Sequence, residues 1–240
     1  MRKTVLVTVL LVAVAGLTFS QMMGQGPGRF GGWGGMMGGW WSSTPPGNAQ
    51  ALTIDQAWQS AEKYVKDFWN ADLQLTEVME FDNQFYVEVA EKSSGVHAFE
   101  VLVNKWTGAI VPEPGPDTMW NTKYGHMGIG MMGGGMMGGP GMGWGGRQGY
   151  RPWGNPGKEM PVNAAQAHTY AQQFLDARLP GMKGETDADV FYGYYTIHVL
   201  NKDGSVYGML GVNGHTGWVW YHEWHGKFIG MKELKDMNGG

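Results

Sequence analysis

The chain contains no cysteine. That excludes disulfides, thiolate catalysis, iron–sulfur clusters and covalent haem attachment, and it leaves burial, hydrogen bonding or a ligand to hold whatever folds. Charge is sparse as well. Asp, Glu, Lys and Arg make up 16% of the 240 residues, and the formal net charge is −4. Such a balance carries no electrostatic footprint for nucleic acid. Long apolar runs are missing beyond the N-terminus. Residues 125–146 lack formal charge, but glycine forms helices poorly, and only helices or closed barrels satisfy their backbone in lipid. No transmembrane span is expected after the leader. Nucleophile elbows, catalytic triads and phosphate-binding glycine loops are absent too, so the chain is not expected to be an enzyme.

What is present begins with a leader. Arg2 and Lys3 precede an apolar stretch from Val5 to Leu17, and Thr18-Phe19-Ser20 offers small residues at the cleavage positions before Gln21. This reads as a signal peptide over 1–20, its apolar run shorter than the roughly 20 residues of a spanning helix. The mature protein is expected in the periplasm, on the cell surface or secreted.

Glycine and methionine are abundant, at 41 and 18 residues. They concentrate in a Gly/Met/Trp-rich tract over 21–50 and a Gly/Met-rich segment over 113–160, expected to be a disordered linker. The blocks at 51–112 and 161–230 look globular, and 231–240 is a polar tail. The two blocks repeat one another. Gln56, Ala57 and Ala61 line up with Gln166, Ala167 and Ala171, and Phe85-Tyr86 with Tyr194-Tyr195. Each block opens with a cap candidate, Thr53 or Asn163, followed by apolar residues at helical spacing. Strands are expected at 74–81, 84–91 and 97–104, and again at 185–191, 194–201 and 206–212. A short fourth strand follows Thr107-Gly108 and Thr216-Gly217, at 109–111 and 218–221. The expected fold is α+β: two tandem repeats, each one helix packed on a three- to four-stranded antiparallel sheet. Units this small are marginal alone, so the two are expected to pack together.

The helix and strand order, ending in Val103-Asn104-Lys105-Trp106-Thr107-Gly108 and again in Val212-Asn213-Gly214-His215-Thr216-Gly217, resembles the PepSY domain family. The resemblance covers about 51–112 and 161–222. It implies extracytoplasmic modules without catalytic residues of their own, which restrain peptidases or serve as sensory domains. A pair of such units would be a binding or inhibitory protein.

Candidate ligand residues fall into two groups. Met127, Met131, Met132, Met136, Met137 and Met142 offer neutral thioether sulfur, which suits Cu(I), on a backbone that glycine leaves free to wrap an ion; His126 adds a borderline donor. A linker or an adhesive surface is the competing reading. His222 and His225, with His215 nearby, form the second group. Their spacing is not that of a zinc-protease helix, and on a strand they face opposite sides unless a turn begins there. Trp218, Trp220, Tyr221, Trp224 and Phe228 read either as a ligand groove or as a packed seam. Glu113, Asp187, Asp189 and Glu223 find no partner that sequence can place, and His168 and His198 read as ordinary hydrogen-bonding histidines. The functional classes left open are capture of a soft metal such as Cu(I), inhibition or chaperoning of a partner protein or peptidase, and self-association at a surface.

Overall fold

The two capping sites close as reciprocal boxes. Thr53 and Asn163 each accept a backbone N–H from the residue three positions on, and the side chains of Gln56 and Gln166 reach back to the cap N–H. They start helices α1 (Ile54–Phe68) and α3 (Ala164–Arg178), because each satisfies two backbone donors that a helix start leaves unpaired. A short helix, α2 (Pro116–Trp120), lies between them. The structure is a computed structural model that describes residues 45, 47–125 and 159–234.

After α1 the chain forms β1 (Leu73–Phe81), β2 (Gln84–Glu91), β3 (His97–Asn104) and β4 (Ile110–Pro112), an antiparallel meander. Alternation decides the faces. Phe85, Val87 and Val89 of β2 and Phe99, Val101 and Val103 of β3 lie in one core cluster with Ala57, Trp58, Ala61 and Val65 of α1. The second half follows the same plan with a weaker start. Its first strand is reduced to two short pieces, β5 (Lys183–Gly184) and β6 (Asp189–Val190), which pair with β7 (Tyr194–Leu200). Strands β8 (Val206–Asn213) and β9 (Val219–Tyr221) complete that sheet. Ala167, Ala171 and Leu175 of α3 share a core with Ile197, Val199, Leu210 and Val212. The fold is α+β with antiparallel sheets.

The faces turned away from the helices meet one another. Met79, Phe81, Tyr86 and Leu102 of the first sheet pack with Met209 of the second. The layers are therefore helix, sheet, sheet, helix. The seam between the sheets is only partly apolar: Glu77, Glu88, Glu100, Thr196 and His198 are all buried there.

Two segments depart from the sequence expectation. Residues 113–125, grouped above with the disordered linker, are built into the fold. Trp120 is fully buried with Phe191 and Tyr194, the Asn121 amide donates to the Ala98 carbonyl, and Thr122 N–H donates to the Tyr192 carbonyl. The Pro and Gly residues that open this segment mark a break in the strand, while its aromatic residues bury. Two glycines allow the close approach. Gly193 sits at φ +104, where a Cβ would fall 2.4 Å from the Trp120 carbonyl oxygen, and a Cβ on Gly211 would fall 2.5 Å from Pro116. The second departure is β10 (Phe228–Glu233), which runs into the expected polar tail. It leaves the second half and pairs antiparallel with β1, forming the outer strand of the first sheet. The rest of the linker, residues 126–158, lies outside the described residues.

Candidate functional site

The Asn-x-x-Thr-Gly segments are turns with a shared geometry. Asn104 Oδ1 accepts from Trp106 N–H and Thr107 N–H at 3.0 and 2.9 Å, and Asn213 Oδ1 accepts from His215 N–H and Thr216 N–H at the same distances. Gly108 and Gly217 N–H then return to the carbonyls of Asn104 and Asn213. The asparagine is there because its short side chain mimics a backbone turn. His215 sits in the second of these turns.

His222 and His225 do converge. Strand β9 ends at Tyr221, so the chain turns at 222–225, and both imidazoles swing towards Glu113, just after β4. The Nε2 of His225 is 2.8 Å from Glu113 Oε1, and Nδ1 of His222 is 3.4 Å from the same oxygen. One ligand atom from each of the three residues falls within 4.8 Å of the others. All are secluded: Glu113 and His222 are 0% and 1% exposed. The turn is pinned by Asn83, whose amide donates to the Trp224 carbonyl and whose Oδ1 accepts from Gly226 N–H. His222 stacks on Trp224 and His225 on Phe81, with ring centroids 4.7 and 4.5 Å apart. Trp224 Nε1–H donates to Glu113 Oε1.

Several atoms here lack hydrogen-bond partners. Both ring nitrogens of His222, Nε2 of His225 and Oε2 of Glu113 are buried without an aligned bond. Burial by itself would raise the Glu113 carboxyl, but His222 and His225 beside it hold it well below the usual carboxylate range. Burial lowers His225, against the pull of Glu113. The Gln84 amide nitrogen lies 3.0 Å from His225 Nδ1, and Gln84 Oε1 is buried without a partner. Exchanging the amide oxygen and nitrogen would let Nδ1–H donate to Gln84 and free Nε2 as a ligand.

No family model matches the chain, and no curated protein sequence does either. Among solved structures it is similar to the Bacillus megaterium YpeB C-terminal domain, at 9% identity and a TM-score of 0.23. That match covers 71% of this chain and 62% of the other.

A second group gathers at the edge of the seam. Glu88 of β2, His97 of β3 and Asp189 of β6 also bring ligand atoms within 4.8 Å of one another. His97 Nδ1 contacts Glu88 Oε1, and its Nε2 is 3.8 Å from Asp189 Oδ1. Beside them, His198 Nδ1 lies 2.8 Å from Glu185 Oε2, and its Nε2 lies 3.5 Å from Glu77 Oε1. Burial and the charge of Glu88 push Asp189 up to about 8, against the opposing effect of His97 and His198.

Between the two groups stands Glu100, fully buried. Its carboxylate accepts from Tyr86 OH at 2.6 Å and from Tyr194 OH and Thr196 Oγ1 at 2.8 Å. Burial, Glu113 and Asp117 together push it well above the carboxylate range. The remaining candidates scatter. Trp218 meets Trp120 at a tilt and Trp220 meets it edge-on, their centroids 5.9 and 5.8 Å from its ring, while Trp218 stays 41% exposed. His168 faces the Gly184 carbonyl. His126, Met127, Met131, Met132, Met136, Met137 and Met142 lie outside the described residues. No helix among the described residues is long and apolar enough to cross a membrane. Sequence reasoning named Glu113, Asp189 and His198 but had no means of pairing them. Glu113 meets His222 and His225, Asp189 meets His97, and His198 meets Glu77 across the two halves, while Glu185 reaches His198 from within its own half; no spacing encodes the crossings.

Proposed function

We propose that this protein is a non-enzymatic, extracytoplasmic binding protein, built from two PepSY-like units, that takes a metal ion at Glu113, His222 and His225. One observation carries the reading: Glu113, His222 and His225 bring ligand atoms from both halves together, and both ring nitrogens of His222, Nε2 of His225 and Oε2 of Glu113 are buried there without a hydrogen-bond partner. Each buried polar atom left unpaired costs about 1–3 kcal/mol. A cation shared among them would offset several such costs at once. Two imidazoles and a carboxylate suit Zn(II), Cu(II) or Ni(II), and so closed a pocket resembles a structural site more than a catalytic one. Trp224 and Gln84 supply the outer hydrogen bonds that orient such ligands. The paired asparagine turns and the capped helices support two units of one kind, and the N-terminal leader supports export. In the same reading, the methionines from Met127 to Met142 are a separate sulfur-rich stretch suited to Cu(I).

Calorimetric titration of metal-free protein with Zn(II) and Cu(II) tests the folded site. Wild type should take up an ion there, and His222→Ala or His225→Ala should weaken that binding by more than about tenfold. Equal binding by wild type and both variants would sink the proposal. The sulfur-rich stretch is tested apart, by anaerobic Cu(I) competition. Replacing its six named methionines with leucine should lower Cu(I) uptake without altering Zn(II) binding.

A further inference from the structure

We propose that the outer edge of β10 docks a second copy of this chain, the two copies joining antiparallel, β10 to β10, in a register centred on Gly230. A sheet edge leaves backbone groups unpaired, and folded proteins blunt it with short strands, proline, charge or a bulge. Among the described strands the edges differ. β4 has three residues and ends in Pro112, β5 and β6 have two each, and β9 has three. β10 has six residues, lacks proline and borders only β1. Its bulge presents an apolar side chain. The pairing with β1 steps from Glu80–Gly230 to Phe81–Phe228, so Ile229 has no opposite residue there. Ile229 and Met231 are 55% and 38% exposed, and no other described strand exposes two large apolar residues.

The order of residues along β10 fits a copy of itself. Centred on Gly230, the pairing sets Ile229 of each copy against Met231 of the other, and Lys227 of each against Glu233 of the other. Each match occurs twice, as two-fold symmetry requires. Apolar pairs and opposite charges set directly across an antiparallel ladder both stabilise it. A slip of one residue either way sets Lys227 against Lys232 or Leu234, and Ile229 against Gly230 or Lys232. Both matches are then lost together. At the centre, the space where a Cβ of Gly230 would stand holds nothing within 4 Å, so a second backbone can approach. The two five-stranded sheets become one continuous sheet, and the edge is closed on both copies.

Light scattering of the full chain across the micromolar range tests the proposal. The mass of wild type should double as concentration rises. Ile229→Asp should keep a cooperative thermal transition and remain at the mass of one chain throughout. The register has its own test, because the chain has no cysteine. With a short bismaleimide, Gly230→Cys should crosslink to dimer, while Gln173→Cys, exposed on α3, should stay at the level of random collision. EDTA should leave the mass unchanged, which separates this contact from the metal reading at Glu113. A wild type that stays at one chain at every concentration overturns the proposal and leaves the edge to another segment or another protein. Equal crosslinking of the two cysteine variants overturns the register.

Discussion

A carboxylate fed by three hydroxyls has little tolerance for losing one. Glu100 draws donors from both halves: Tyr86 from the first sheet, and Tyr194 and Thr196 from the second. Tyr194→Phe keeps the ring stacked on Phe191 but withdraws one donor from a group that water cannot reach. Urea unfolding should show a loss of about 1–3 kcal/mol, and an unchanged midpoint would mean that a water or a proton takes the hydroxyl's place. Gly193→Ala should be worse, because it adds both a clash with the Trp120 carbonyl and a strained left-handed backbone. At this scale the sequence was partly legible. The glycine and the aromatics could be read, and so could the asparagine turns. The seam acids could not, because Glu88 and Glu100 sit on strands at positions that alternation marks as outward and therefore solvated. They are buried because a second sheet covers that face.

Elements were easier to read than residues. Both long helices follow from apolar spacing and a cap, and the capping boxes give a measurable contribution. Thr53→Ala and Asn163→Ala should each cost about 1 kcal/mol, read as a lowered Tm, with little effect on metal binding. Strands β2 and β3 were legible because a helix covers one face of a regular alternation. Three elements were less so. The expected strand at 185–191 is split because Glu185 and Asp189 turn towards the two seam histidines. Helix α2 is one short turn announced only by proline. Strand β10 reads as a tail because its partner, β1, lies at the opposite end of the folded sequence, and nothing local signals so distant a pairing.

On the scale of the whole molecule, the two halves are tied by ionisable groups as well as by packing. Glu91, at the end of β2, accepts from Lys123 and Tyr124 of the 113–125 segment and from Tyr192 of the second half. Burial alone would raise its pKa, but Lys123, Tyr124, Ser94 and Tyr192 lower it from 4.5 to about 2. The folded value lies below the unfolded one, so the stabilisation is complete above about 4.5 and is lost as pH falls towards 2. Wild-type stability should therefore decline over that window. Glu91→Gln should be less stable at neutral pH and should flatten the decline, as followed by denaturant midpoints at stepped pH. A parallel decline in both proteins would assign the acid sensitivity to other carboxylates.

The crossing of β10 also bears on the order in which the molecule can be completed. A chain emerging from its N-terminal end presents β1 long before β10 exists, and until then the outer edge of β1 carries unpaired backbone groups open to any passing strand. The last pairing closes the longest loop in the fold, and contacts of that range form slowly. Turn 222–225, which holds His222 and His225 against Glu113, immediately precedes β10. An ion seated there would act as a latch on the final step of folding, so metal supply would govern how long the exposed edge persists.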